Sequence, residues 1–226
     1  MVNWERSKIA NHSFRLEIST SKVHSRTMAN IAYLKFNDPA PDLELLNTDG
    51  TPVRLSSFWR KQVLILAFTR HFGCPQCKEM VDQLVTVSPD IKAKNLGLVI
   101  VTMGSPEEAK IFCAERAPGV ICLSDVERKA YQAYGLERAN MWQSFLSLNV
   151  WRSNRRLKKE RGWNTDLPPK GQDALQMAGT FIIAPDGLIR LPYYYDDIAD
   201  HPDVDLLLHG VMGLDWNTTF NGPVAP

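Results

Sequence analysis

Two apolar runs constrain this chain more than any other feature. Gln62 to Phe68 (QVLILAF) and Leu98 to Met103 (LVIVTM) carry apolar side chains on both faces and β-branched residues at Val63, Ile65, Val99, Ile100 and Val101. Strands of that kind are stable only where helices cover both faces of the sheet. Between the two runs, Cys77, Met80, Val81, Leu84 and Val85 recur at i, i+3, i+4, i+7 and i+8, one stripe of a helix that Pro75 suits at its first turn. Strand, helix and strand in that order, repeated along the chain, predict a largely parallel sheet. Gln62 to Phe68 is expected to be the central strand.

The flanking segments extend the pattern. Leu43 to Leu46 and Val53 to Leu55 read as two short strands about the turn Asn47-Thr48-Asp49-Gly50, whose Asp-Gly supplies a positive φ. Ser105-Pro106-Glu107-Glu108 is a capping box that predicts a helix to about Glu115. Val120 to Leu123 reads as a strand, and Ser124 with Glu127 as a second capping box opening a helix that runs through Tyr134 to Gly135. Thr180 to Ala184, Pro185-Asp186-Gly187 and Leu188 to Tyr194 predict a late hairpin, so the sheet is mixed. A last helix is expected over Val204 to Met212, with Asp203 as its N-cap. The stretch from Leu136 to Met177 is too long for a loop. Its helical spacing near Trp142, Phe145, Leu146 and Leu148 predicts an insertion at about 137–177 packed against the sheet.

With 226 residues and 44% hydrophobic content, the chain suits one soluble α/β domain over 37–226. Residues 1–36 read as a tail, disordered or weakly targeting. Polar and charged residues stand where a secretory signal needs an apolar stretch, so a cytoplasmic location is expected. No apolar run approaches the roughly 20 residues of a membrane span. A formal charge of +1 implies no bulk attraction to nucleic acid. The basic run from Arg152 to Arg161 between Trp151 and Trp163 is then a local feature, expected to be a solvated face.

The chemistry points to Cys74-Pro75-Gln76-Cys77. Placed where a strand hands over to a helix, the first thiol meets free amide donors and the positive end of the helix dipole, which favour the thiolate. Cys74 is therefore the candidate nucleophile. Cys77, one turn on, lies close enough to close a disulfide with it and is the candidate resolving thiol. Arg70 and His71, just ahead, are candidates to add positive potential. A zinc site would need two further ligands, usually a second close pair, whereas Cys113 and Cys122 stand apart and are expected to be buried core thiols. The aspartates about His201 match no calcium loop, so no metal is expected.

Taken together, Ala40-Pro41-Asp42-Leu43-Glu44-Leu45, the segment Leu64 to Lys78, Leu123-Ser124-Asp125 with Tyr131 to Leu136, Gly179-Thr180-Phe181 with Pro185-Asp186-Gly187, and Ala199 to Pro202 resemble the peroxiredoxin-like branch of the AhpC/TSA family. The resemblance spans roughly residues 38 to 213. It implies a thioredoxin-like fold, a mixed central sheet flanked by helices with a peroxiredoxin-type N-terminal β-hairpin. It also implies a redox centre at Cys74 and Cys77, supported by Thr69, Arg70 and His71, that reduces a peroxide or disulfide. No bound cofactor is implied; a thiol reductant such as thioredoxin or glutathione restores the pair, and a homodimer is compatible with the family. Where peroxiredoxins carry a proline, a threonine and a late arginine, this chain has Ala67, His71 and Ala178. Lipid endoperoxide reduction, as in the prostamide/prostaglandin F synthase relatives, is the second enzymatic expectation, and a non-catalytic redox-sensing scaffold the third.

Overall fold

Strand β3 (Val63–Phe68) shows why two apolar faces were needed. Leu64, Leu66 and Phe68 enter one core with Tyr131, Tyr134 and Phe181, while Val63, Ile65 and Ala67 enter another with Met80, Val81, Leu84 and Ile91. Side chains of a strand alternate across the sheet, so one six-residue run serves both layers. Strand β4 (Leu96–Thr102) repeats the device, with Val99 and Val101 on the first side and Ile100 on the second. These relations come from a computed structural model, which describes residues 33–218 apart from 141, 142, 144, 145 and 214. The residues expected to form the tail, up to 32, and Trp142 and Phe145 lie outside the described residues.

Among the described residues seven strands form one sheet in the order β2-β1-β5-β4-β3-β6-β7. The hairpin of β1 (Glu44–Asn47) and β2 (Pro52–Arg54) is antiparallel, turns at Gly50 with φ 84°, and joins β5 (Ile121–Ser124) through Leu46 and Ser124. β3, β4 and β5 are parallel, and β6 (Gly179–Ile183) runs antiparallel to β3 with Phe68 opposite Gly179. β7 (Ile189–Tyr194) completes the late hairpin at the sheet edge. The chain ahead of β1 is held there too: Tyr33 stacks edge-on against Tyr194 at 4.8 Å, and the Asn37 amide donates to the Ile189 carbonyl at 2.8 Å.

Helix α1 (Ser56–Trp59) precedes β3; α2 (Pro75–Thr86) and α3 (Ser88–Ala93) link β3 to β4, and α4 (Pro106–Arg116) links β4 to β5. The Ser105 capping box is formed on both arms, at 3.2 and 2.9 Å. Short α5 (Lys129–Ala133) follows β5, α6 (Leu148–Arg161) forms the insertion, and α7 (Val204–His209) closes the second core. The Asp203 cap on α7 is present. Among the described residues no helix is long and apolar enough to cross a membrane.

Several expectations change. β4, not β3, is the middle strand of the seven, because β1 and β2 add to the β5 side. Ser124 and Glu127 form no capping box: the chain first turns from Asp125 to Arg128, which is left-handed at φ 57°, and the Asp125 carboxylate accepts from the amides of Lys129, Ala130 and Tyr131. α7 stops at His209 because Gly210 leaves helical geometry, and a 3-10 turn (Val211–Gly213) takes its place. The insertion helix α6 packs on α2, and its Val150 clusters with Ala139, Met177 and Ala178 of the insertion where Tyr193 of β7 packs, so the insertion meets that helix as well as the sheet edge. Cys113 and Cys122 are not separate core thiols; they form a disulfide that ties α4 to β5.

Candidate active site

β3 ends beneath the sheet's carboxyl edge, and residues 69–73 carry the chain to α2. Cys74 is the N-cap of that helix, extended at φ −79° and ψ 115°, with Pro75 at the first helical position. Proline has no amide to leave unpaired there, and its fixed φ starts the helix. The Cys74 amide donates back to the His71 carbonyl at 3.0 Å, and the Cys74 carbonyl accepts the first helical bond from Lys78 at 3.2 Å. Cys77 follows one turn later. Both thiols are free and buried, Cys74 with 1% of its surface exposed and Cys77 with 4%.

Electrostatics separate the pair. The Arg70 guanidinium donates to the Cys74 sulfur at 3.3 Å and the Arg70 amide donates to the Cys77 sulfur at 3.2 Å. Burial works against a thiolate at Cys74, but a hydrogen bond from the Cys77 thiol, the charge of Arg70 and further bonds from the Cys77 amide and Arg70 outweigh it. The Cys74 thiol is pulled down to about 6. Cys77 moves the other way, pushed well up by burial and by its bond to, and repulsion from, Cys74. At neutral pH the site holds one thiolate and one thiol, an arrangement suited to a nucleophile with a proton-bearing partner.

Arg70 is itself buried, and its remaining donors reach the carbonyls of Gln176, at 3.0 Å, and Ala174. These partners are neutral, and a buried cation in a low dielectric calls for an anion. The Cys74 sulfur is the group in contact that can supply one. The return leg of the insertion, beyond α6, is thus fastened over the thiols. Gln172 accepts from the Phe72 amide at 3.0 Å and Asp166 donates its amide to the Gly73 carbonyl at 3.1 Å. A Cβ on Gly73 would meet the carbonyl oxygens of Asp166 and Leu167 at 2.8 Å, so only glycine lets these backbones approach. α6 adds a polar link: the Cys74 sulfur lies 3.5 Å from Gln76 Oε1, and Gln76 donates to Asn154 at 2.6 Å.

Of the residues singled out from sequence, the structure brings together Cys74, Cys77 and Arg70. Thr69 turns aside, its hydroxyl donating to the Val101 carbonyl at 3.2 Å. His71 sits beside the pair through its backbone, but burial, with Arg70 and Lys78 nearby, pulls its ring down to about 4, so it is neutral and adds no positive charge. Its Nδ1 atom is buried without a hydrogen-bond partner. Gln76, Asn154, Gln172 and the carbonyls of Ala174 and Gln176 went unrecognised. Gln76 lies inside the motif, yet nothing in its spacing marks a partner 78 residues away. Among the described residues no group of three or more His, Cys, Asp or Glu gathers as a metal site would require.

Comparison with known proteins bears on the family and the fold. The AhpC/TSA family model matches residues 36–191. Peroxiredoxin-like 2C of Bos taurus is 26% identical over 184 residues, covering 78% of this chain and 81% of the relative. Prostamide/prostaglandin F synthase of Danio rerio is 28% identical over 169 residues, covering 70% and 78%. Among solved structures, a peroxiredoxin-like protein from Aquifex aeolicus superposes with a TM-score of 0.55 at 16% identity, over 78% of this chain and 85% of that one.

Proposed function

Because the chain belongs to the AhpC/TSA family, with its peroxiredoxin-type thioredoxin fold, we propose that it is a thiol-dependent oxidoreductase that reduces a peroxide through Cys74 and Cys77. The observation that carries this reading is the buried Arg70 guanidinium 3.3 Å from the Cys74 sulfur, beside a second free thiol. The Cys74 thiolate attacks the terminal oxygen of the peroxide; an S–O bond forms, the O–O bond breaks, and the alcohol leaves with a proton. Cys74 is oxidised to the sulfenic acid. The Cys77 sulfur then displaces hydroxide, taken away as water with the thiol proton, and the disulfide closes. Two equivalents of an external thiol, from a protein such as thioredoxin or from glutathione, restore the dithiol. A disulfide substrate would be attacked at sulfur in the same way and resolved by the same partner.

Arg70 here occupies the electrostatic place left by the family's late arginine, since that position is Ala178, buried and uncharged. A guanidinium on the attacking sulfur favours the thiolate and stabilises negative charge as the O–O bond opens. The test is mass spectrometry after one equivalent of hydroperoxide. Wild type should lose two hydrogens and yield a peptide cross-linked between Cys74 and Cys77. Cys77→Ser should stop at a Cys74 sulfenic acid that dimedone traps, and Cys74→Ser should do neither. Equal turnover in all three proteins would overturn the assignment. The likeness to prostamide/prostaglandin F synthase favours one further substrate, a lipid endoperoxide, whose O–O bond the same thiolate can open; a substrate panel run with thioredoxin and its reductase separates the two.

A further inference from the structure

We infer that the outward face of α6 docks on membrane surfaces carrying anionic phospholipid headgroups. The helix has two unlike sides. Val150, Ser153 and Leu157 are buried, and Arg156 grips Glu79 of α2 through two bonds of 2.7 and 2.8 Å. On the opposite side Leu148, Arg152, Arg155 and Lys159 recur at i, i+4, i+7 and i+11, with Trp151 and Lys158 beside them, all exposed.

Charge is sorted between these sides. The single acid of the helix, Glu160, lies on the flank and pairs with Arg156 at 3.5 Å, while Arg161 reaches Asp82 at 3.5 Å. Arg152, Arg155, Lys158 and Lys159 form no ion pair among the described residues; Arg155 lies over the Trp151 ring at 5.7 Å instead. The whole chain carries a net charge of only +1, so four uncompensated cations on one helix face form a strong local field. Their polar face ends in apolar surface: Leu148 is 67% exposed, Trp151 58%, and Leu146 just ahead of the helix 58%. Basic residues with an adjoining Trp and Leu suit a helix lying in a headgroup region, where the cations meet phosphates and the indole and leucines enter the acyl boundary. A nucleic acid backbone would neutralise the cations and leave Leu146, Leu148 and Trp151 in water. The occupant favoured is therefore a bilayer, and the surface stands independently of the thiol chemistry.

The experiment is co-sedimentation of the full chain with vesicles of phosphatidylcholine alone or with added phosphatidylserine. Pelleting with the phosphatidylserine vesicles only, weakening as salt rises, is expected. Each basic residue near an anionic surface contributes about fivefold to partitioning, so Arg155→Gln with Lys159→Gln should weaken binding by about twenty-five-fold. Trp151→Ser should weaken it while leaving the salt dependence unchanged. Should the double variant fail to fold, Lys158→Gln alone gives the same comparison at about fivefold. Equal pelleting with both vesicle types, none with phosphatidylserine at low salt, or wild-type partitioning of the variants overturns the inference. So does preferential capture of the protein by an oligonucleotide in the presence of the anionic vesicles.

Discussion

Arg70 joins the parts of the site. Its amide reaches one thiol, its guanidinium the other, and its remaining donors hold the insertion's backbone. The sign of its effect on Cys74 follows from charge: a cation favours the thiolate, so its removal must raise the titration point. Absorbance at 240 nm should show one thiolate step near pH 6 in the reduced wild type, with the second thiol ionising far higher. In Arg70→Met the first step should move to about pH 7 or higher. The rate of peroxide reduction below neutral pH should fall with it; a step that stays near 6 would assign the shift to Cys77 and the helix end alone. His71 makes the converse point. Adjacent in sequence to Arg70 and ionisable near neutrality in water, it is kept uncharged by burial.

Helices α2 and α6 meet through one polar seam, Gln76 with Asn154 and Glu79 with Arg156. The Glu79 side chain is 11% exposed and that of Arg156 45%, so truncating the arginine strands a largely buried carboxylate while losing only a half-solvated cation. Arg156→Ala should cost about 1–2 kcal/mol, discounted for that solvent access, read as a lower urea midpoint at unchanged slope. Glu79→Gln with Arg156→Gln should lose less, because no unpaired charge remains. The α5 region shows a different balance at element level. Its predicted capping box yielded to a turn, and Asp125 took over by accepting three amides from the following helix. Ser and Glu at the right spacing are a signal only if the chain enters the helix directly at the serine.

Across the molecule, two sulfur pairs divide the labour: one free pair at the start of α2, and one bond between α4 and β5. The bonded cysteines are 9 residues apart, and closing so short a loop restrains the unfolded chain by about 2–3 kcal/mol. Phosphine reduction of a Cys74→Ser/Cys77→Ser protein should therefore lower its urea stability by about that amount. An unchanged midpoint would show that the bond holds nothing together. Phe72, beside the free pair, stacks on Phe112 at 4.4 Å, next to Cys113, so the two sulfur regions share one packed wall. What the sequence determined alone were the local patterns: continuous apolar runs that demand a doubly covered sheet, Asp-Gly turns, the Ser105 box, and Cys74 and Cys77 at a strand-to-helix junction. Each depends on residues within a turn or two, where spacing carries the physics. Tertiary structure decided the middle strand, the Cys113–Cys122 bond, the neutrality of His71, the carbonyls on Arg70 and the outward cations of α6. Those depend on burial and on pairings between separate elements, tens of residues apart in most cases and nine apart for Cys113 and Cys122, and neither leaves a signature in residue order.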